Sequence, residues 1–290
     1  STIQSMDTQF KVKVFFDLLQ DDAAYKLAVE CSSPIEQVLL KSDIPVDIMD
    51  IEDNDAIVSV TNNVNSHEHG PQPILATFRN DQMLERSSTQ SQRNDTGTKK
   101  DSDQATYNIR GTNRITSKRM ELKVRTVEGQ SGAITLYIIA SHNNSSNSAK
   151  DEIKIRQTAH CVTIGVVPLS LHCRAEKPKL PLNKMPLNVL ELKGYSSLNQ
   201  AHEWLRNILP NFPRRTMAYD QDRQTFFYEN SLVGSLLAIE YEYDKILLSS
   251  DSISTISILK ESINKLAMGA NVRISLSIRI NEMSVVRFLA

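Results

Sequence analysis

Residues 249–269 read SSDSISTISILKESINKLAMG, and this stretch decides how the second half of the chain folds. Ile256, Leu259, Ile263 and Leu266 recur at spacings of 3, 4 and 3, which is one stripe of an amphipathic helix. Ser254 or Asp251 is placed to cap the first turn, and Gly269 to close the last. VRISLSIRI follows. Val272, Ile274, Leu276, Ile278 and Ile280 fall on one face, and Arg273, Ser275, Ser277 and Arg279 on the other, as in a strand covered on one side. The hydroxyl-rich start of the helix would also suit an anion, because backbone N–H groups converge there. A phosphate loop, however, needs glycines for close backbone approach, and none occurs from Ser235 through Glu261. The hydroxyls are read as capping groups.

Ahead of that helix, QTFFYENSLVGSLLAIEYEYDKILLSSD supplies two or three strands, and NVLELKGYS a strand and turn. SLNQAHEWLRNILP predicts a second helix: Leu198, Ala201, Leu205 and Ile208 share a face, and Pro210 stops it. This half is therefore α/β. Upstream, PLSLHCRAEKPKLPLNKMPLN carries four prolines between 168 and 186 and predicts a linker crossing between domains.

The first half has a different texture. In YKLAVEC, Tyr25, Leu27, Val29 and Cys31 alternate with Lys26, Ala28 and Glu30, the period of a half-buried strand. Met120, Leu122 and Val124 alternate likewise, then Ile134, Leu136 and Ile138, and the intervening EGQSG predicts a hairpin turn. IKIRQTAHCVTIGVV gives one more strand. Short strands without helices between them predict an immunoglobulin-like antiparallel β-sandwich over roughly residues 8–165. From about 80 to 118 the sequence is polar, mixed in charge and nearly free of apolar residues. It predicts a long loop insertion. The expected division is 1–167 for the sandwich and 168–290 for the α/β domain.

Bulk properties exclude several classes. The 290 residues carry a net charge of −1, so no global field favours nucleic acid or an anionic membrane. Hydrophobic residues make up 40%, a little below the globular average, which fits one stretch poor in core residues. Cys31, Cys161 and Cys173 form no CxxC and no short-spaced pattern, so neither a disulfide framework nor a zinc knuckle is implied, and a reducing compartment is expected. Sequons at Asn94, Asn143 and Asn144 sit in Asn/Ser-rich loops and are read as unused. No signal peptide opens the chain, and no run approaches the ~18 apolar residues of a membrane span. The abrupt start and the apolar end VVRFLA suggest a piece of a longer protein.

No catalytic constellation assembles from the residue types present. There is no G-x-S-x-G elbow, no GxGxxG and no Walker loop. His160 and Cys161 are adjacent in a strand pattern and so point to opposite faces. His67 and His69 lack further metal ligands. His202 beside Glu203 is conceivable as a catalytic pair, but Trp204 next to them adjoins the apolar stripe and favours packing or an interface. Lys99–Lys100 and Arg214–Arg215 are small basic spots without the aromatic platforms that single-stranded nucleic acid requires. No enzyme, cofactor or metal is expected. Trp204, Arg206, Arg214 and Arg215 are the candidate partner surface, because Trp and Arg are favoured at interface hot spots.

Several long blocks also carry a resemblance: SDSISTISILKESINK with INEMSV, LNVLELKGYSSLNQAHEWL, PLSLH, MELKVRTVEGQSGAITLYI, VLLKSDIPVDIMDI and DDAAYKLAVECSSPIEQVL. In order along the chain, they resemble the family of the seventh Bardet–Biedl syndrome protein, a subunit of the BBSome. The match covers the γ-adaptin-ear-like sandwich and the α/β platform domain of that family. The polar stretch at about 80–118 departs from it. The resemblance implies a non-catalytic adaptor in coat-like trafficking of membrane proteins to and from cilia. Its partners would be other BBSome subunits, with ciliary membrane-protein cargo as a further one. It would be cytoplasmic, at the cilium and ciliary base, peripheral to membrane through an Arf-like small GTPase and moving with intraflagellar transport. The rival reading is an ear-like module that captures short peptide motifs directly.

Overall fold

The computed structural model describes residues 11–49, 57–62, 74–79, 118–143, 155–178, 181–214, 224–242 and 244–284. The expected polar insertion, apart from Lys118, lies outside them, as do His67, His69, the Asn94 and Asn144 sequons and Arg215.

The first half is all strand: β1 (Val12–Leu19), β2 (Ala24–Cys31), β3 (Ile35–Ser42), β4 (Val46–Met49), β5 (Ile57–Asn62), β6 (Ile74–Arg79), β7 (Arg119–Thr126), β8 (Gly132–Asn143) and β9 (Ile155–Val166). They form two antiparallel sheets, ordered β1-β2-β7-β4 and β5-β6-β3-β8-β9. The alternation read from the sequence sets the inner faces. Leu27 and Val29 of β2 with Leu122 and Val124 of β7 meet Val38 and Leu40 of β3 with Ile134, Leu136 and Ile138 of β8 in one core. This is the antiparallel β-sandwich the alternation predicts.

One expectation fails. β7 and β8 do not form a hairpin: β7 pairs with β2 and β4, whereas β8 pairs with β3 and β9. Residues 127–131 instead arch from one sheet to the other. A hairpin would have placed both apolar faces in one sheet, and the sandwich needs one on each side. A second crossing, from β3 to β4 at 43–45, lies against the first. Asp43 accepts a hydrogen bond from the Ala133 N–H at 2.5 Å through its carboxylate, and its own N–H donates to the Ala133 carbonyl at 3.1 Å. Gly132 makes this approach possible, since a Cβ there would lie 2.4 Å from Asp43 Oδ1 and 2.6 Å from Ile44 Cγ2.

The second half holds β10 (His172–Ala175), β11 (Asn188–Lys193), α1 (Leu198–Arg206), β12 (Gln224–Asn230), β13 (Leu236–Tyr241), β14 (Ile246–Ser250), α2 (Ile253–Gly269) and β15 (Ser275–Arg279). The six strands form one antiparallel sheet, ordered β10-β12-β13-β14-β11-β15. Both helices bury their stripes in one core, Ala201, Trp204 and Leu205 from α1 and Ile256, Leu259 and Ile263 from α2, against Leu190, Leu192, Phe226, Tyr228, Ile239 and Leu248. Ile280 falls beyond β15 and is exposed.

The termini of α2 differ in detail from the sequence reading. Its N-cap is Ser252, whose hydroxyl accepts the Thr255 N–H at 3.3 Å. Asp251 is committed elsewhere, to the Leu236 N–H at 2.8 Å. Gly269 is the last helical residue, and the left-handed closing position is Asn271, at φ 56°. There Asn271 N–H donates to Met268 O at 3.0 Å and Val272 N–H to Ala267 O at 2.9 Å. This is the reciprocal pair by which a helix satisfies its last carbonyls, with Asn in the place more often held by Gly.

Two substitutions test these assignments in denaturant unfolding. Gly132→Ala forces Asp43 or Ile44 aside and is expected to cost about 1–3 kcal/mol, the usual range for overpacking; no change in midpoint would contradict the interlocked crossings. Ser252→Ala is expected to cost about 1 kcal/mol, the typical loss of an N-cap, with Ser254→Ala near neutral; the reverse order would restore Ser254 as the cap.

Candidate partner surfaces

The sequence-predicted surface centres on α1. Trp204 is 6% exposed and belongs to the core. Its place on the helix follows from the apolar stripe, one position before Leu205, so its area is spent inside the fold. Arg206 lies at the end of the helix, where a cation favours the dipole, and its guanidinium is 2.7 Å from both carboxylate oxygens of Glu203. Arg214 is exposed, eight positions further on.

His202 holds this region together. Its ring is buried, with Nδ1 2.9 Å from the Tyr241 hydroxyl and Nε2 2.8 Å from the Pro213 carbonyl. A carbonyl only accepts, so Nε2 carries the proton and Nδ1 accepts from Tyr241. Burial pushes the Tyr241 hydroxyl well above the ordinary tyrosine range, which keeps it a donor. With both nitrogens engaged in structural bonds, His202 ties the segment carrying Arg214 back to the sheet. It is not paired with Glu203 for catalysis. The sequence offered no signal for this role, because Pro213 and Tyr241 are brought to His202 only by the fold.

A second feature lies on the outer face of the sheet β1-β2-β7-β4. A shallow hollow of about 230 Å³ is lined by Phe15, Asp17, Lys26, Ala28, Glu30 and Arg119. Ala28 is buried and forms its floor, while Phe15, 41% exposed, forms a wall. The rim charges engage one another: Lys26 Nζ is 2.8 Å from Glu121 Oε2, and Arg119 pairs with Glu30 and Glu121. Hydrogen bonds from Lys26 and Arg119 hold the Glu121 carboxyl below the usual carboxylate range. Of the thiols, Cys31 is buried and pushed up to about 11 by that burial, which leaves it unreactive. Among the described residues, no group of three or more His, Cys, Asp and Glu is arranged to hold a metal ion, and no helix is long and apolar enough to cross a membrane.

Both halves of this architecture match one family. The description "BBS7 GAE domain" matches residues 8–98, and "BBS7 platform domain" matches residues 172–279. The chain belongs to the BBS7 family. It is 29% identical over 285 residues to the "BBSome complex member BBS7" of Mus musculus, covering 98% of this chain and 33% of that protein. It is 27% identical over 277 residues to the "BBSome complex member bbs-7" of Caenorhabditis elegans, covering 95% of this chain and 31% of that protein. The chain thus spans about a third of the length of the curated relatives it matches. Within the BBS7 frame, the sandwich is the GAE domain and the six-stranded sheet with α1 and α2 is the platform.

The placement of Trp204 has a direct consequence. Trp204→Ala is expected to cost about 3–5 kcal/mol in unfolding free energy, as for a core aromatic. A loss below about 1 kcal/mol, the range of ordinary surface positions, would return Trp204 to the surface.

Proposed function

We propose that this chain is the ear-and-platform part of a BBSome subunit, divided near 167/168, and that it acts as a non-catalytic scaffold through protein–protein interfaces. The observation that carries the reading is the match of both domains, in order, to one family whose curated members are BBSome complex members. Support also comes from the use of the residues that chemistry would need. His202 is spent on structural bonds, Cys31 is buried, and Lys26, Glu30 and Arg119 at the hollow are ion-paired. The partners are other BBSome subunits. The setting is coat-like trafficking of membrane proteins to and from cilia, in the cytoplasm and at the ciliary base, with membrane association supplied indirectly by an Arf-like GTPase.

The partner surface we propose is the polar edge at the end of α1, with Arg206 and Arg214 and, in the sequence beyond the described residues, Arg215. Trp204 supports this edge from inside. Arginines suit an interface because the planar guanidinium forms several directed bonds to carboxylates and backbone carbonyls. The hollow beside Phe15 favours a second reading, in which the ear captures a short peptide whose apolar side chain sits over Ala28.

A pull-down of the chain against individual folded BBSome subunits and against a library of short peptides separates these readings. The triple reversal Arg206→Glu, Arg214→Glu, Arg215→Glu is expected to lower capture of a folded subunit by at least about tenfold, as for loss of hot-spot arginines, with stability reduced by no more than about 1 kcal/mol through the lost Glu203 pair and helix-end cation. Capture of peptides alone, abolished by Phe15→Ser, would replace the scaffold reading with the peptide one.

A further inference from the structure

The segment after Pro168, expected to be a linker, is buried and bonded on both sides. Leu169, Ser170, Leu171 and His172 are all buried. Their bonds alternate between the two domains. Toward the sandwich, the Pro168 carbonyl accepts the Gly129 N–H at 2.7 Å. The Ser170 carbonyl accepts the Tyr25 hydroxyl, and the Ser170 hydroxyl lies 2.7 Å from that of Thr126. Toward the platform, Leu169 N–H donates to the Ile208 carbonyl at 2.9 Å, just beyond α1, and the Leu171 carbonyl accepts the Ser231 N–H at 2.9 Å, at the tip between β12 and β13. Leu171 also donates its N–H to Glu128 Oε1 at 2.8 Å, so one residue is held by both domains.

We propose that Glu128 is a clasp that fixes the orientation of the platform on the sandwich. It stands in the arch 127–131, whose sandwich end is anchored by the Asp43–Ala133 bonds. Its carboxylate takes the Leu171 N–H and lies 3.4 Å from Nδ1 of the fully buried His172, the first residue of β10. A charged acceptor bonds about twice as strongly as a neutral one, and here it bonds in a largely dry setting, with the Glu128 side chain 20% exposed. Gly129 gives the arch its turn: it adopts φ +85°, a left-handed conformation that favours glycine, and it faces Ile258 of α2 at ordinary contact distance. The burial of Tyr25, which pushes its hydroxyl far above the ordinary range and keeps it a donor to Ser170, closes the other side of the seam.

A chain joined by a free linker samples many relative orientations; one joined by this seam presents ear and platform as a single body. The inference does not depend on which partner the chain binds. It is tested on the whole chain by amide hydrogen exchange, with spin labels at Tyr137→Cys and Met268→Cys, one exposed position in each domain, in a background lacking the native cysteines. Glu128→Ala is expected to speed exchange at the Leu171 amide by about ten- to a hundredfold, the loss of a hydrogen bond to a charged group. It should also broaden the label-to-label distance distribution, while core amides of Leu27 and Leu248 keep their protection. Glu128→Gln retains an acceptor oxygen and should restore much of both. Unchanged exchange at Leu171, an unbroadened distance in Glu128→Ala, or a Glu128→Gln chain as loose as Glu128→Ala would each overturn the clasp.

Discussion

The sandwich and the platform meet at one corner, where two crossings between the sheets of the sandwich lie side by side. A sandwich must send its chain from sheet to sheet, and each crossing leaves backbone groups without ladder partners. Here the crossing at 43–45 leaves β3 by extending its ladder one step: Asp43 bonds both backbone groups of Ala133 at the start of β8, and the missing side chain of Gly132 lets Asp43 and Ile44 lie against the end of the arch. The arch that results carries Glu128 and Gly129 straight onto the segment that begins the platform. The closure of the first domain and the seating of the second are therefore consequences of the same local geometry.

The platform has its own logic. Its two helices bury their stripes in one core with the sheet, and three buried polar side chains fasten its elements. His202 ties the segment after α1 to β13, Asp251 fastens the start of β13, and Asn188 bonds Ser284 and the backbone at Ser250 and Asn281. Such buried, satisfied polar contacts specify one arrangement of elements more than they add net stability. For the scaffold role proposed for this chain, this is the useful property. A surface presented by pre-ordered domains loses less conformational freedom on association than one that must be ordered by its partner.

Much of this was legible in the sequence where periodicity governs. The stripe at Ile256, Leu259 and Ile263, the alternation at Leu27 and Val29, and the alternation at Ile134, Leu136 and Ile138 all sit as their spacing predicts, because burial of one face is a local pattern. What was not legible depends on distant contacts. EGQSG has the composition of a hairpin turn, and nothing local says that it must arch. Only the need to supply both sheets, and the seat offered by Pro168 and Leu171, decides it. The cap of α2 moved to Ser252 because Asp251 was drawn to Leu236, fifteen residues away. Trp204 was read toward a partner because Trp is frequent at interfaces, but its neighbours on the stripe took it into the core. The four prolines after residue 167 predicted a linker crossing between domains, but composition does not record the hydrogen bonds that flank Ser170.

The central claim, that ear and platform form one body through this corner, is tested most directly by residual dipolar couplings on the unmodified chain in a weakly aligned medium. Amides of β2 and β8 report the sandwich, and those of β13 and α2 the platform. The account predicts that both sets fit a single alignment tensor on the geometry described here. Two tensors of different magnitude would mean that the domains reorient independently, and would contradict it.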